Sequence, residues 1–152
     1  ETAAPLAETL GLEVVIEPDI AESDTVATEY VPQEELMAAG DPRWRDGMSA
    51  DDWPSTYEPL ETFHPRIMAG LDGIISRHPR QTVAVVCHGG VIARYTSTIL
   101  EQPWEKTGFF FPLYTSITRI AASSKPDGWR MIVSVNEIPH LRGTGLPTGE
   151  LF

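Results

Sequence analysis

Residues 82–100 read TVAVVCHGGVIARYTSTIL, in which an apolar run changes abruptly into a helical pattern. The run 82–87 is continuous, β-branched and uncharged, which is typical of a strand buried on both faces of a parallel sheet. Gly89 and Gly90 then open the stretch 91–100, whose apolar spacing predicts a helix. The segment therefore predicts a strand–turn–helix unit of an α/β domain, with His88 at the turn.

This turn lies where open α/β sheets bind their ligands, beyond the carboxyl end of a strand. Gly89 and Gly90 allow the backbone to approach a ligand closely, and the helix after them presents N–H groups to an anion. A histidine at this point can donate hydrogen bonds to phosphate oxygens and stabilise negative charge. The motif indicates an anion site at His88. A structural or capping role for this histidine is the alternative.

Helices and strands alternate on both sides of the turn. The expected fold is α/β, an open, mostly parallel sheet with helices on both faces, in one domain over 1–152. The irregular stretch 41–56, which contains Trp44 and Trp53, is expected to be an insertion that covers the site. The remaining patterns predict helices over 1–10, 31–40 (stopped at Gly40) and 57–78, and strands over 13–17, 115–121 and 129–135.

Composition and charge narrow the function classes. The 152 residues carry a net charge of −11, and eleven of the 22 acidic residues precede the first basic one, Arg43. Nucleic acid and anionic membranes are therefore not expected as partners. Cys87 is the lone cysteine, which suits a reducing compartment and predicts a cytoplasmic location. Neither CxxC nor HExxH occurs, so no metal and no other cofactor is expected.

Taken together, these motifs resemble the histidine phosphatase superfamily, the phosphoglycerate-mutase-like proteins. The segment 82–100 is similar to the part of that family that carries its second histidine. The weaker similarities follow in the same order along nearly the whole chain: ETA at 1–3, D-x-x-E at Asp19 and Glu22, F-x-x-R at Phe63 and Arg66, HP at 78–79, TSITRI at 115–120, and Trp129, Asn136, His140 and Leu141.

The resemblance implies phosphoryl transfer through a phosphohistidine, with small phosphorylated metabolites or inorganic phosphate as ligands. His88 corresponds to the second histidine, which contacts the phosphoryl group beside Gly89 and Gly90. An acid protonates the leaving oxygen in this family. Glu22 is the best candidate by position and Asp24 is the alternative. Glu22 also stands in an acidic run, so an ordinary solvated carboxylate is the competing interpretation.

One departure from the family pattern is large. The family's nucleophile lies in an Arg-His-Gly motif that ends the first strand, and no Arg-His-Gly occurs in these 152 residues. We therefore expect that an N-terminal segment before the ETA is missing, that the 152-residue chain has no turnover, and that it self-associates to cover the vacant strand position. The alternatives are a non-catalytic binding or scaffold domain and an α/β-hydrolase-like esterase. The esterase would need a G-x-S-x-G motif, which is also absent.

Overall fold

The computed structural model describes residues 1–24, 31–41, 57–105, 110–146 and Thr148. The stretch 42–56, with Trp44 and Trp53, lies outside the described residues. The insertion proposed over 41–56 therefore remains a prediction.

Within the described residues, four α-helices form where the sequence patterns predict helices: α1 (Ala4–Leu10), α2 (Gln33–Ala39), α3 (Leu60–Arg77) and α4 (Gly89–Ile99). Helices α1 and α2 end at Gly11 and Gly40, whose φ angles of 63° and 60° lie in the left-handed region that glycine adopts without strain. Helix α3 begins only after Pro59, which is extended with ψ 142°. None of the helices in the described ranges could span a membrane.

The two late strands also form, as an antiparallel hairpin of β1 (Ile117–Ala122) and β2 (Arg130–Glu137). The turn between them contains the KPDG sequence that predicts it. The Gly128 N–H donates to the carbonyl of Lys125 at 3.0 Å, and Asp127 has a φ of 52°. Aspartate tolerates this left-handed conformation better than most residues, so the turn chemistry explains the hairpin.

The buried core lies between α3, α4 and a short 3-10 helix, Pro18–Ile20. The apolar stripe predicted on α3 supplies most of it, and each fully buried side chain contributes about 1.5–3 kcal/mol. The buried residues of this cluster are Ile20, Leu60, Phe63, Ile67 and Val91, with Met68, Leu71, Ile74 and Cys87 packed against them. The core therefore joins the Glu22 region to the helix that follows His88.

The segments 13–17 and 82–87 differ from their prediction. Neither forms a β-ladder with any described residue, and the hairpin is the one sheet within the described ranges. Val83 and Val86 are 42% and 47% exposed, so the prediction that 82–87 is a strand buried on both faces is wrong for this structure. A strand needs a neighbour to bond, and no described segment supplies one. The described residues do not form the expected open parallel sheet.

Candidate active site

The carboxylate of Glu22 lies at the N-terminus of α4. Its Oε2 accepts a hydrogen bond of 2.8 Å from the backbone N–H of Gly90, which is 68 residues away in sequence. Its Oε1 accepts one of 2.8 Å from the N–H of Ser23. A Cβ at position 90 would clash with Oε1, so the carboxylate occupies the space that the missing side chain leaves. The structure therefore brings together two of the residues predicted for the site.

His88 is the residue that precedes α4. Its backbone is extended, with φ −111° and ψ 168°, and its carbonyl accepts the first helical bond, from Ile92 N–H at 3.1 Å. Its side chain makes no capping hydrogen bond, and the residue is exposed. Beside it, a Cβ at Gly89 would meet nothing within 4 Å. The site is thus open to solvent at His88 and Gly89 and occupied by Glu22 at Gly90.

The electrostatics of this helix end favour negative charge. The first N–H groups of a helix carry a partial positive charge, equivalent to about half an elementary charge. Glu22 already uses this property, since its carboxylate accepts from the second residue of the helix. Arg94, one turn further along α4, is buried and interacts electrostatically with Glu22. Burial lowers the pKa of Arg94 and the charge of Glu22 raises it. This end of α4 is therefore suited to hold an anion.

Asp24, the alternative acid, lies elsewhere. It is partly exposed, and no hydrogen bond joins it to α4 among the described residues. The geometry therefore places Glu22, rather than Asp24, in contact with the helix that follows His88.

Two charged residues next to Glu22, Arg66 and Glu58, are assigned no part in the chemistry by the sequence prediction. Arg66 and Glu58 form an ion pair in which both side chains are about one fifth exposed, at 21% and 19%. The hydrogen bond from Arg66 lowers the pKa of Glu58, against an opposing effect of burial. Arg66 directly precedes Ile67, a member of the buried stripe of α3. A charged side chain at the edge of a buried apolar stripe indicates an ion-pair partner, and this signal could have identified the pair of Arg66 and Glu58.

Among the described residues, no hydrogen bond joins the other histidines to Glu22 or Gly90, whereas Cys87 directly precedes His88 and interacts electrostatically with Glu22. The ring of His64 stacks on Trp104 with centroids 5.8 Å apart, and burial lowers its pKa. His78 Nδ1 is 2.8 Å from the side-chain oxygen of Gln81, and His140 lies exposed in a 3-10 helix. Burial raises the pKa of the Cys87 thiol to about 11. Cys87 is therefore a neutral thiol at pH 7 and a poor nucleophile.

Neither the pocket of the described residues nor their possible metal ligands form a site that competes with the one at the N-terminus of α4. A pocket of about 140 Å³ lies between α3 and the hairpin turn, lined by residues that include Asp72, Lys125 and Arg130. It is smaller than typical ligand sites of about 300–1,000 Å³ and contains no predicted site residue. Within the described ranges, no group of three or more His, Cys, Asp or Glu side chains is arranged to hold a metal.

One of three comparisons with known proteins identifies a family. The sequence model of the histidine phosphatase superfamily (branch 1) matches residues 1–137. No curated protein and no solved structure matches the chain.

Proposed function

The chain belongs to the histidine phosphatase superfamily, and on this basis we propose that it acts in phosphoryl transfer through a phosphohistidine. The proposed enzyme is a metal-independent phosphatase or mutase acting on small phosphorylated metabolites. One observation carries the proposal: Glu22 meets the N-terminus of the helix that follows His88, at Gly90. A carboxyl group, an exposed histidine and helix N–H groups are thereby gathered at one end of α4.

The proposed chemistry assigns each group a part. A histidine of an Arg-His-Gly motif attacks phosphorus, a nitrogen–phosphorus bond forms, and the bond to the leaving oxygen breaks. Glu22 acts in its protonated form and donates that proton to the leaving oxygen, which avoids the release of an unstable alkoxide, and the water or hydroxyl that later attacks the phosphohistidine returns a proton to Glu22. The side chain of His88 and the backbone N–H of Gly89 donate to the phosphoryl oxygens and stabilise their charge. Water then hydrolyses the phosphohistidine, or a second hydroxyl accepts the group in a mutase.

The nucleophile is not among the 152 residues, because no Arg-His-Gly occurs in them. We therefore propose that His88 and Glu22 form one half of the site and that the nucleophile comes from outside this sequence. This absence also favours a second candidate, a non-catalytic domain that binds phosphate or a phosphorylated ligand. The esterase alternative has no comparable support, since no G-x-S-x-G is present either.

The proposed architecture is the single domain 1–152 with an open, mostly parallel sheet and helices on both faces. The segments 13–17 and 82–87 would be strands of that sheet once a partner strand pairs with them. Their apolar, β-branched composition supports this proposal. The proposed compartment is the cytoplasm, supported by the single cysteine.

We also propose that the 152-residue chain self-associates through 82–87, with a second copy as the occupant. The segment exposes Val83, Val85 and Val86 and makes no ladder with described residues. It carries no charge, so two copies can meet there without bringing like charges together in a chain of net charge −11. The acidic residues Glu13 and Glu17 disfavour the same contact through 13–17. An exposed edge of this kind is a template for pairing.

Phosphate release from p-nitrophenyl phosphate tests the function. The 152-residue chain should show no turnover, whereas a longer chain from the same reading frame that carries Arg-His-Gly should be active. In the active chain, His88→Ala should lower turnover by about 10²-fold or more, the scale for losing one preorganised donor. His78→Ala is the matched control and should leave turnover unchanged, because His78 contacts Gln81 away from the site.

Two outcomes would contradict the proposal. Turnover by the 152-residue chain that His88→Ala abolishes would mean that a different nucleophile operates. A longer chain that binds phosphate at His88 without turnover would identify the non-catalytic domain instead.

A further inference from the structure

We propose that Arg66 is the positioning residue that sets Glu22 against the N-terminus of α4. The inference rests on the proposed function, because Glu22 is the acid there. It concerns a residue to which the sequence assigns no part in the chemistry. The geometry of Arg66 and of its partner Glu58 carries it.

Arg66 holds the backbone on the N-terminal side of Glu22. Its Nη1 donates hydrogen bonds of 2.9 Å to the carbonyl of Asp19 and 3.0 Å to the carbonyl of Ala21. The second carbonyl belongs to the peptide bond that leads directly into Glu22. A rotation of that peptide would swing the Glu22 side chain away from Gly90, so the two bonds fix the direction of approach.

Glu58 binds Arg66 and also the backbone on the C-terminal side of Glu22. Its carboxylate accepts from Nε of Arg66, at 3.1 and 3.2 Å to its two oxygens, and also from Nη2. Its backbone N–H donates to the carbonyl of Ser23 at 2.7 Å. The two members of this ion pair thus bind the carbonyls on both sides of Glu22. Arg66 binds that of Ala21 through its side chain, and Glu58 binds that of Ser23 through its backbone N–H.

Close packing leaves the segment little other freedom. A Cβ at Gly70 would lie 2.9 Å from the Cβ of Asp19, so the backbone of α3 and this segment are in direct contact. Ile20 and Ser23 are buried, at 9% and 2% exposure. The segment has no β-ladder to align it among the described residues. Hydrogen bonds from the Arg66 side chain of α3 therefore position this segment, as bonds to a neighbouring strand would in a sheet.

The guanidinium group of arginine is suited to binding these three partners at once, and the ammonium group of lysine is not. Arg66 binds two carbonyls and a carboxylate at once, with its planar fork of donors oriented by contact with the ring of Phe63, 5.3 Å away. Lysine has the charge but lacks the fixed fork. We therefore expect Arg66→Lys to restore the position of Glu22 only in part.

The amide proton of Gly90 reports the contact directly, because its chemical shift depends on the hydrogen bond to Glu22. In NMR spectra of the 152-residue chain, Glu22→Ala defines the shift without that bond. Arg66→Gln should move the Gly90 signal most of the way to that value, and Arg66→Lys should give an intermediate value. Arg77→Gln is the matched control. Arg77 lies on the same helix and pairs with Glu17, yet it does not touch the segment 19–23, so Gly90 should not move.

A Gly90 signal that stays at its wild-type position in folded Arg66→Gln would overturn the proposal. If Arg66→Gln does not fold, Arg66→Lys and Glu58→Gln replace it. Glu58→Gln removes the charge that orients the guanidinium and should move Gly90 in the same direction by less. An unchanged Gly90 signal in both of these would equally overturn it.

Kinetics of the longer, Arg-His-Gly-containing chain separate this inference from the proposed function. Arg66→Gln should lower kcat for an alkyl phosphate by about 10–10²-fold, the scale of a small misplacement, with little change in KM. It should affect p-nitrophenyl phosphate less, as loss of the acid would. A moved Gly90 signal with unchanged kcat would confirm the positioning and contradict the role of Glu22 as acid. An unmoved signal contradicts the positioning alone.

Discussion

Gly89 and Gly90 differ in what surrounds the place where a side chain would begin. Position 89 is open, whereas a Cβ at position 90 would meet the carboxylate of Glu22. Gly90→Ala should therefore push Glu22 away from the helix, at little cost in strain because the carboxylate ends a flexible side chain. Gly89→Ala is the control and should leave Glu22 in place.

Urea denaturation separates the two changes. Alanine is favoured over glycine in a helix by up to about 1 kcal/mol, so Gly89→Ala should raise the free energy of unfolding. Gly90→Ala has the same gain but loses a hydrogen bond worth about 0.5–1.5 kcal/mol, so its stability should stay near that of the wild type. Equal gains in both variants would contradict the contact between Gly90 and Glu22.

The residues of the candidate site follow a local sequence pattern, and their contacts do not. A histidine and two glycines between an apolar run and a helix form a local pattern, so His88, Gly89 and Gly90 can be found from sequence. The bond between Glu22 and Gly90 joins positions 68 residues apart, and no local pattern encodes it. The pairing of Arg66 with Glu58 has a sequence signal, but the bonds from Arg66 to the carbonyls of Asp19 and Ala21 have none, because any residue supplies a backbone carbonyl.

Three elements, α3, α4 and β2, are joined by one polar cluster. The hydroxyl of Tyr95 on α4 donates to Asp72 of α3 at 2.8 Å. Arg130 of β2 donates to the Tyr95 oxygen at 3.0 Å and to Asp72 at 2.7 Å. Tyr95 is only 5% exposed, so its hydroxyl depends on these partners. The cluster fixes the hairpin against the helices.

Tyr95→Phe should lower the free energy of unfolding by about 0.5–1.5 kcal/mol, the usual net contribution of a hydrogen bond. A double-mutant cycle with Asp72→Asn isolates the interaction between the two side chains. The costs of the two single changes should not add in the double variant. Strict additivity in denaturant unfolding would contradict the cluster.

The same residue gives the fold a dependence on alkaline pH. Burial, with the hydrogen bond to Asp72, raises the pKa of Tyr95 from 10 to about 12. The folded protein keeps this proton where the unfolded chain has lost it, so the stabilisation is complete below pH 10 and disappears as the pH rises to 12. The expected loss is about 2–3 kcal/mol.

Cys87 contributes a similar loss between about pH 9 and pH 11, since burial raises the pKa of its thiol to about 11. The free energy of unfolding should therefore fall more steeply with pH in the wild type than in Tyr95→Phe between pH 10 and pH 12. Identical slopes would contradict the burial of the phenol.

At the scale of elements, local signals explain what the sequence could predict. Gly11 and Gly40 end helices, Pro59 delays one, and the KPDG turn closes the hairpin, so these elements were correctly predicted. Asn136 has a structural role, because its side-chain oxygen accepts from Leu113 N–H and its amide donates to the Phe111 carbonyl. The strands over 13–17 and 82–87 depend on a neighbour, and composition alone cannot supply one.

The described residues leave an unusual amount of apolar surface exposed. Val15 and Ile16 are each 80% exposed, and α1 has no buried residue. Light scattering on the 152-residue chain should therefore show a dimer or larger assembly. Val85→Lys should weaken it by placing a charge in the proposed contact, whereas Val15→Lys, outside that contact, should not. A monomer that melts cooperatively would contradict self-association.

The family was predictable at this scale because many weak similarities occur in the expected order around one stronger motif. The sheet was not, because its predicted central segment, 82–87, finds no partner among the described residues. The net charge of −11 gives no information on this point, since it concerns partners and solubility rather than fold.

The leaving-group dependence of Glu22→Gln tests the central proposal most directly. The measurement compares kcat for p-nitrophenyl phosphate and for an alkyl phosphate in a chain that carries Arg-His-Gly. Glutamine can still accept a hydrogen bond from Gly90 but has no proton to give. We predict a large loss for the alkyl phosphate, whose leaving oxygen needs protonation, and a small one for p-nitrophenol, which leaves readily as an anion. Equal losses for both substrates would show that Glu22 is not the acid and would contradict the site assembled at the N-terminus of α4.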